Sequence, residues 1–198
     1  MGHSTIALLV FLFPLAFSPG PGNMFFAANG ARFGFRATLA ANAGYHAATW
    51  LVTAAIGFGS LTALDRFPGI FTVLQLLGAL YVLWLAWTFV RAGLLSDSDD
   101  AAAAGFGDGA VLMVVNPKAY VIIALMFTQF LDGDDGAWMA EVLVITTLFT
   151  LNNCVAFTAW TIAGDALGRL FRSPQSARAL NIGFAVLLAG VAVWMLVA

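Results

Sequence analysis

Apolar residues run along this chain in long unbroken stretches rather than in alternation. The stretches cover roughly 4–31, 37–64, 68–90, 109–131, 138–164 and 178–197. Each reaches the ~20 residues a helix needs to cross ~30 Å of hydrocarbon. In lipid every backbone polar group needs an internal partner, so only helices or closed barrels can span it. Barrel strands alternate apolar and polar side chains, and these runs do not. The pattern predicts an all-α, polytopic membrane protein with six transmembrane helices in one domain over residues 1–198.

Composition agrees. Hydrophobic residues make up 62% of the chain and charged ones 9%, against about a quarter charged in soluble domains. The net charge of -2 gives no sign of nucleic-acid binding. The single cysteine, Cys154, rules out an internal disulfide. No CxxC, HExxH, Walker or dinucleotide motif is present, so no cofactor is expected.

The charges fall between the runs. Arg32, Arg36, Arg91, Arg169, Arg172 and Arg178 lie in three alternate connections, while the opposite side holds only Arg66. Basic loops stay cytoplasmic, which predicts both termini on the outer side of a cytoplasmic membrane. The one long connection, GLLSDSDDAAAAGFGDGA, is acidic and rich in small residues. It reads as a linker (about 93–108) between a first half (about 1–92) and a second (about 109–198). Helix 1 would then run inward and helix 4 outward, so the two three-helix halves form an inverted repeat. Residues 6–17 could also be the core of a signal peptide. Such a peptide begins with basic residues, and MGHST has no Lys or Arg, so this segment reads as a retained first span.

Two runs interrupt themselves. In FSPGPGNMFF, Pro19, Gly20, Pro21 and Gly22 leave no continuous helical ladder, whereas Pro14, standing alone, is compatible with a kink. In VVNPKAY, Asn116 suits an N-cap and Pro117 the first helical position; Asn23 could cap the restart after PGPG in the same way. At 1.5 Å per residue, Pro21 lies about 16 Å from Arg32 and Pro117 about 12 Å from Gly109. Both breaks therefore fall near mid-membrane. Irregular backbone at that depth must be buried in protein or line a watery cavity. Helix N-termini there would attract an anion, and the carbonyl ends of the preceding half-helices would suit an ammonium. One cavity could hold both ends of a zwitterion.

Lys118 is the only charged residue deep inside a run. It could act on the substrate carboxylate, gate the site, or snorkel to the interface. His46 could carry a coupling proton or sit neutral against a neighbouring helix. Asn152 and Asn153 could line the cavity or bond between helices. Asp165 and Arg169, four apart, read as a surface pair. Gly30, Gly34, Ala40, Gly44, Gly164 and Gly168 form small-residue pairs at spacings that permit close packing.

These residues together resemble the lysine exporter (LysE/RhtB) family of bacterial amino-acid efflux translocators, over the whole chain. Pro19-Gly20-Pro21 matches its PGP, and Asn116-Pro117-Lys118 its NPK. Gln129-Phe130 matches the end of PQF, with Thr128 in place of the proline. Gly34 with Arg36, Gly44 with His46, Gly57, and Arg178 with Asn181-Ile182-Gly183 follow in order. Here Gly22 separates PGP from Asn23. The resemblance implies a secondary transporter exporting an amino acid or similar zwitterion across the bacterial inner membrane, coupled to protons. Its partners would be the substrate, the bilayer and, as a homodimer, a second copy of the chain. The rival classes are an intramembrane enzyme, for which Ser18 and His46 are the conceivable pair, and a non-transporting subunit of a larger complex.

Overall fold

The structure, a computed structural model, describes residues 2–59, 76–77, 79–87, 90–91, 102–131, 138–170 and 174–197. Among these every element is a helix: α1 (Gly2–Phe17), α2 (Pro21–Phe33), α3 (Phe35–Phe58), α4 (79–87), α5 (Phe106–Val114), α6 (Pro117–Phe130), α7 (Trp138–Leu170) and α8 (Pro174–Val197). The predicted turn at Asp65-Arg66, the acidic part of the central linker, the 132–137 loop and the turn at Ser173 lie outside the described residues.

Both predicted breaks are present. Pro19 and Pro21 offer no N–H, and the residue before a proline is driven out of the helical region. Gly20 is accordingly extended, and α2 opens on Pro21. Asn116 is likewise extended ahead of Pro117, which opens α6. The chain bends by 59° between α1 and α2 and by 62° between α5 and α6. Pro14, in contrast, is carried inside α1.

Taken as broken spans, these two pairs join α7 as the elements long and apolar enough to cross a membrane. The expected second and sixth spans coincide with α3 and α8, each 24 residues, and the third is described over α4 only. Over the described residues, length and composition alone do not qualify these three as spans. For α3 the reason is visible: Thr38, Asn42, His46, Thr49 and Thr53 recur at helical spacing and all are buried. The predicted linker is also shorter than expected at its C-terminal side. Phe106 already starts α5, where the Asp108 carboxylate accepts the Gly105 N–H at 2.8 Å.

Burial is inverted relative to a soluble domain. Val10, Leu51, Val155 and Val186 are each more than 60% exposed. The interior holds Asn23, Asn29, Asn42, His46, Asn116, Asn153 and five threonines. Such a surface suits hydrocarbon, and the buried polar groups need partners inside.

Glycines set the packing of two helix pairs. A Cβ at Gly164 or Gly168 would strike the carbonyl oxygen of Ala27 or Ala31, and one at Gly30 that of Thr161. Thus α2 and α7 touch backbone to backbone. The same holds for α3 and α5, through Gly44 against Phe106 and Gly109 against Ala41. Ala40, expected to pair with Gly44, is exposed; Ala41 makes the contact. Gly34, with φ of 84°, turns α2 into α3 instead of packing helices. Asp165 does pair with Arg169, at 2.8 Å. Its carboxylate also accepts the Phe35 N–H, tying the start of α3 to α7.

Candidate functional site

A helix that stops inside a membrane leaves carbonyls that need partners. At the end of α1 each can be traced. The Pro14 carbonyl accepts the Ser18 N–H at 3.0 Å, and the Leu15 carbonyl accepts the Ser18 hydroxyl at 2.9 Å. Asn23 Nδ2 donates to the Ala16 carbonyl at 2.9 Å. Trp160 Nε1, from α7, donates to the Phe17 carbonyl at 3.3 Å. Lys118 Nζ, from α6, donates to the Ser18 carbonyl at 2.8 Å and to the Ser18 hydroxyl oxygen at 2.9 Å. At the second break, the Tyr120 hydroxyl donates to the Val114 carbonyl at 2.8 Å. The Asn116 N–H donates to the Met113 carbonyl at 3.1 Å.

The N-terminal ends differ. Neither α2 nor α6 carries a side-chain cap, which corrects the expectation for both asparagines. Asn23 sits at the third position of α2, and its amide is drawn back to the carbonyl end of α1. Asn116 occupies the cap position of α6, but its Nδ2 donates to the Tyr45 hydroxyl at 2.8 Å. Its Oδ1 is buried without a partner among the described residues. Each helix start therefore keeps its first N–H groups and its share of positive potential.

Both ends border one cavity, lined by Leu15, Ala16, Asn23, Tyr45, Asn116, Lys118, Ala119, Ile122, Asn153 and Phe157. It offers about 10 Å³ to the centre of a water molecule, room for one water. An amino acid is several times larger than this space. The Lys118 stem fills part of the space. A Cβ at Gly20 would lie 2.9 Å from Lys118 Cδ, which shows how tightly the glycine backs it.

The remaining predicted residues spread around this centre. Pro21 and Gly22 are buried, with Gly22 close beneath the Phe157 ring, whereas Pro19 is exposed and Pro117 half-buried. His46 is buried one layer out, its Nδ1 2.8 Å from the Asn42 carbonyl oxygen and its ring against Tyr45 and Phe157. Its ring also lies by the Asn153 backbone, and among the described residues its Nε2 and Nδ2 of half-buried Asn152 meet no partner at full hydrogen-bond geometry. Asn153 lines the cavity; Asn152 and His46 do not. Ser18 meets Lys118 rather than His46, and its hydroxyl donates to Leu15, so no serine–histidine pair forms.

Tyr45, Phe157, Trp160 and Tyr120 were not legible as site residues. Tyr45 had a signal: it lies on the buried polar stripe of α3, one residue before His46. Trp160 acts through a hydrogen bond across 143 residues, for which the sequence carries no spacing; Tyr120 reaches only six residues back, across the break, to Val114.

An apolar exterior, a polar interior and two interrupted helices meeting at one cavity define a helical membrane protein of the translocator class. The sequence profile of the LysE type translocators matches residues 13–198, and the chain belongs to that family. Its members are translocators, not enzymes. A cysteine/O-acetylserine efflux protein of Escherichia coli K12 is 32% identical over 184 residues, covering 90% of each chain. The protein of the same name from Shigella flexneri matches equally. A membrane protein of Vibrio cholerae is 30% identical over 196 residues, covering 95% of this chain and 94% of its own. No solved structure matches.

Proposed function

We propose that the protein exports a small neutral amino acid from the bacterial cytoplasm by alternating access at the cavity between the two breaks. The observation that carries this reading is the meeting of two uncapped helix starts, α2 and α6, at one polar cavity. Such ends favour a carboxylate. The opposite wall is the carbonyl end of α1, which suits the substrate's ammonium group.

Side-chain preference follows from the lining. Leu15, Ala16, Ala119, Ile122 and Phe157 are apolar, and no Asp or Glu is present to pair a basic side chain. Burying an unpaired charge there is costly. The relatives named for cysteine and O-acetylserine efflux make those two compounds the first candidates. Proton coupling belongs to His46, the one histidine within the described packed interior. The membrane arrangement is six spans in two inverted halves with both termini outside, and the assembly is a homodimer.

The test is uptake into inside-out proteoliposomes of labelled L-cysteine, O-acetylserine and L-lysine, with and without an imposed pH gradient. Accumulation of the first two, enhanced by the gradient, is expected. Movement of no amino acid would end the export reading. Movement of lysine in preference to cysteine would end the selectivity part alone.

A further inference from the structure

We propose that Lys118 is a tethered stand-in for the substrate's ammonium group, occupying the carbonyl end of the cavity whenever the carrier is empty. This rests on the export reading above and adds what the site does between substrates.

Lys118 is the only lysine in the chain. It occupies the second position of α6, so its backbone N–H lies at the donor end of the cavity, while its side chain crosses to the acceptor end. There Nζ meets the Ser18 carbonyl at 2.8 Å and the Ser18 hydroxyl oxygen at 2.9 Å. The four preceding carbonyls are held by partners that need not move: a backbone N–H, a hydroxyl, an asparagine amide and an indole. The Ser18 carbonyl alone is held by a long, flexible, charged arm.

A primary ammonium with three donors is the chemistry of an amino acid's own α-amino group. A substrate whose carboxylate sits at the starts of α2 and α6 would bring that group to the same carbonyl. The two cations cannot share it, because like charges repel and the cavity lacks the room. Substrate entry therefore displaces Nζ, and substrate release lets it return. Without the arm, the empty carrier would hold a negative helix end in a membrane-depth cavity with no partner, an arrangement that disfavours reorientation.

The consequence is a split between two transport modes. Net efflux requires the empty carrier to return across the membrane; exchange of substrate for substrate does not. Lys118→Ala should lower net efflux of labelled L-cysteine down its own gradient, with no pH gradient, by about tenfold or more, and exchange by less than about threefold. The fragment that the substitution removes is n-propylamine, and millimolar n-propylammonium chloride should partly restore net efflux. The same salt, against potassium chloride, should raise the unfolding temperature of detergent-purified Lys118→Ala and leave the wild type unmoved. Lys118→Gln, which keeps a donor without the charge, should show the same split and covers the case of a poorly folding alanine variant.

Equal loss of both modes would place Lys118 on the bound substrate instead and overturn the proposal. So would no loss of either mode, or no thermal response of Lys118→Ala to n-propylammonium. If wild-type protein moves no amino acid, the export reading fails, and the thermal measurement still decides whether the vacated site takes an ammonium.

Discussion

Alanine in place of Gly164 and in place of Gly183 is one chemical change in two environments, and the structure assigns the two opposite signs. A Cβ on Gly164 would collide with the Ala27 carbonyl oxygen and stand 2.7 Å from the carbonyl carbon, where ordinary contact begins at 3.4 Å. Backbone must therefore recede by more than about 0.7 Å, because the carbonyl oxygen is nearer still than the carbon and no side chain is there to rotate away. The same movement loosens Gly168 against Ala31 and Gly30 against Thr161. Overpacking of this kind costs roughly 1–3 kcal/mol, and the alanine returns about 1 kcal/mol of helix propensity. With the rigid obstacle placing the cost toward its upper end, Gly164→Ala should lose about 1–2 kcal/mol. Among the described residues nothing lies within 4 Å of a Cβ at Gly183, so Gly183→Ala should gain up to about 1 kcal/mol. For a chain of this size 1 kcal/mol corresponds to about 2–4 °C, so the two variants should differ by about 2–12 °C. Thermal unfolding in detergent, followed by tryptophan fluorescence, reads this directly. Equal midpoints, or Gly183→Ala melting below Gly164→Ala, would refute the backbone-contact account of how α2 and α7 pack.

Tyr45→Phe leaves the buried Asn116 amide without its acceptor and should cost about 1–3 kcal/mol; a melting temperature equal to wild type would show that this bond contributes nothing. Trp160→Phe removes the donor to the Phe17 carbonyl and should cost about 1 kcal/mol, again read by thermal unfolding, with an unchanged midpoint counting against the capping role. Pro21→Ala restores an N–H at the break and should slow proteoliposome transport by several-fold; normal flux would mean the break is incidental. Ser18→Ala removes one of the two Lys118 contacts but leaves the carbonyl, so net efflux should fall less than in Lys118→Ala, and an equal or greater fall would give the hydroxyl a role of its own.

The sequence by itself determined where the two helices stop and which residue carries the lone interior charge. Proline has no N–H whatever surrounds it, so PGPG, with two prolines in three residues, interrupts a ladder, and Asn-Pro favours a helix start, whereas Pro14, standing alone, is absorbed inside α1. Thr38, Asn42, His46, Thr49 and Thr53 also share a helical spacing, but of these only His46 stood out in the sequence, and their common burial is a finding of the structure. Tertiary structure alone decided who answers each freed carbonyl. Lys118 reaches Ser18 across 100 residues and Trp160 reaches Phe17 across 143. Asn23 and Asn116 turn from their expected caps to Ala16 and Tyr45. The rival hydrogen bonds differ by about 1 kcal/mol each, too little for local sequence to choose among them. The choice falls to the register in which glycines let α2 meet α7 and α3 meet α5, and that register exists only once the helices have packed.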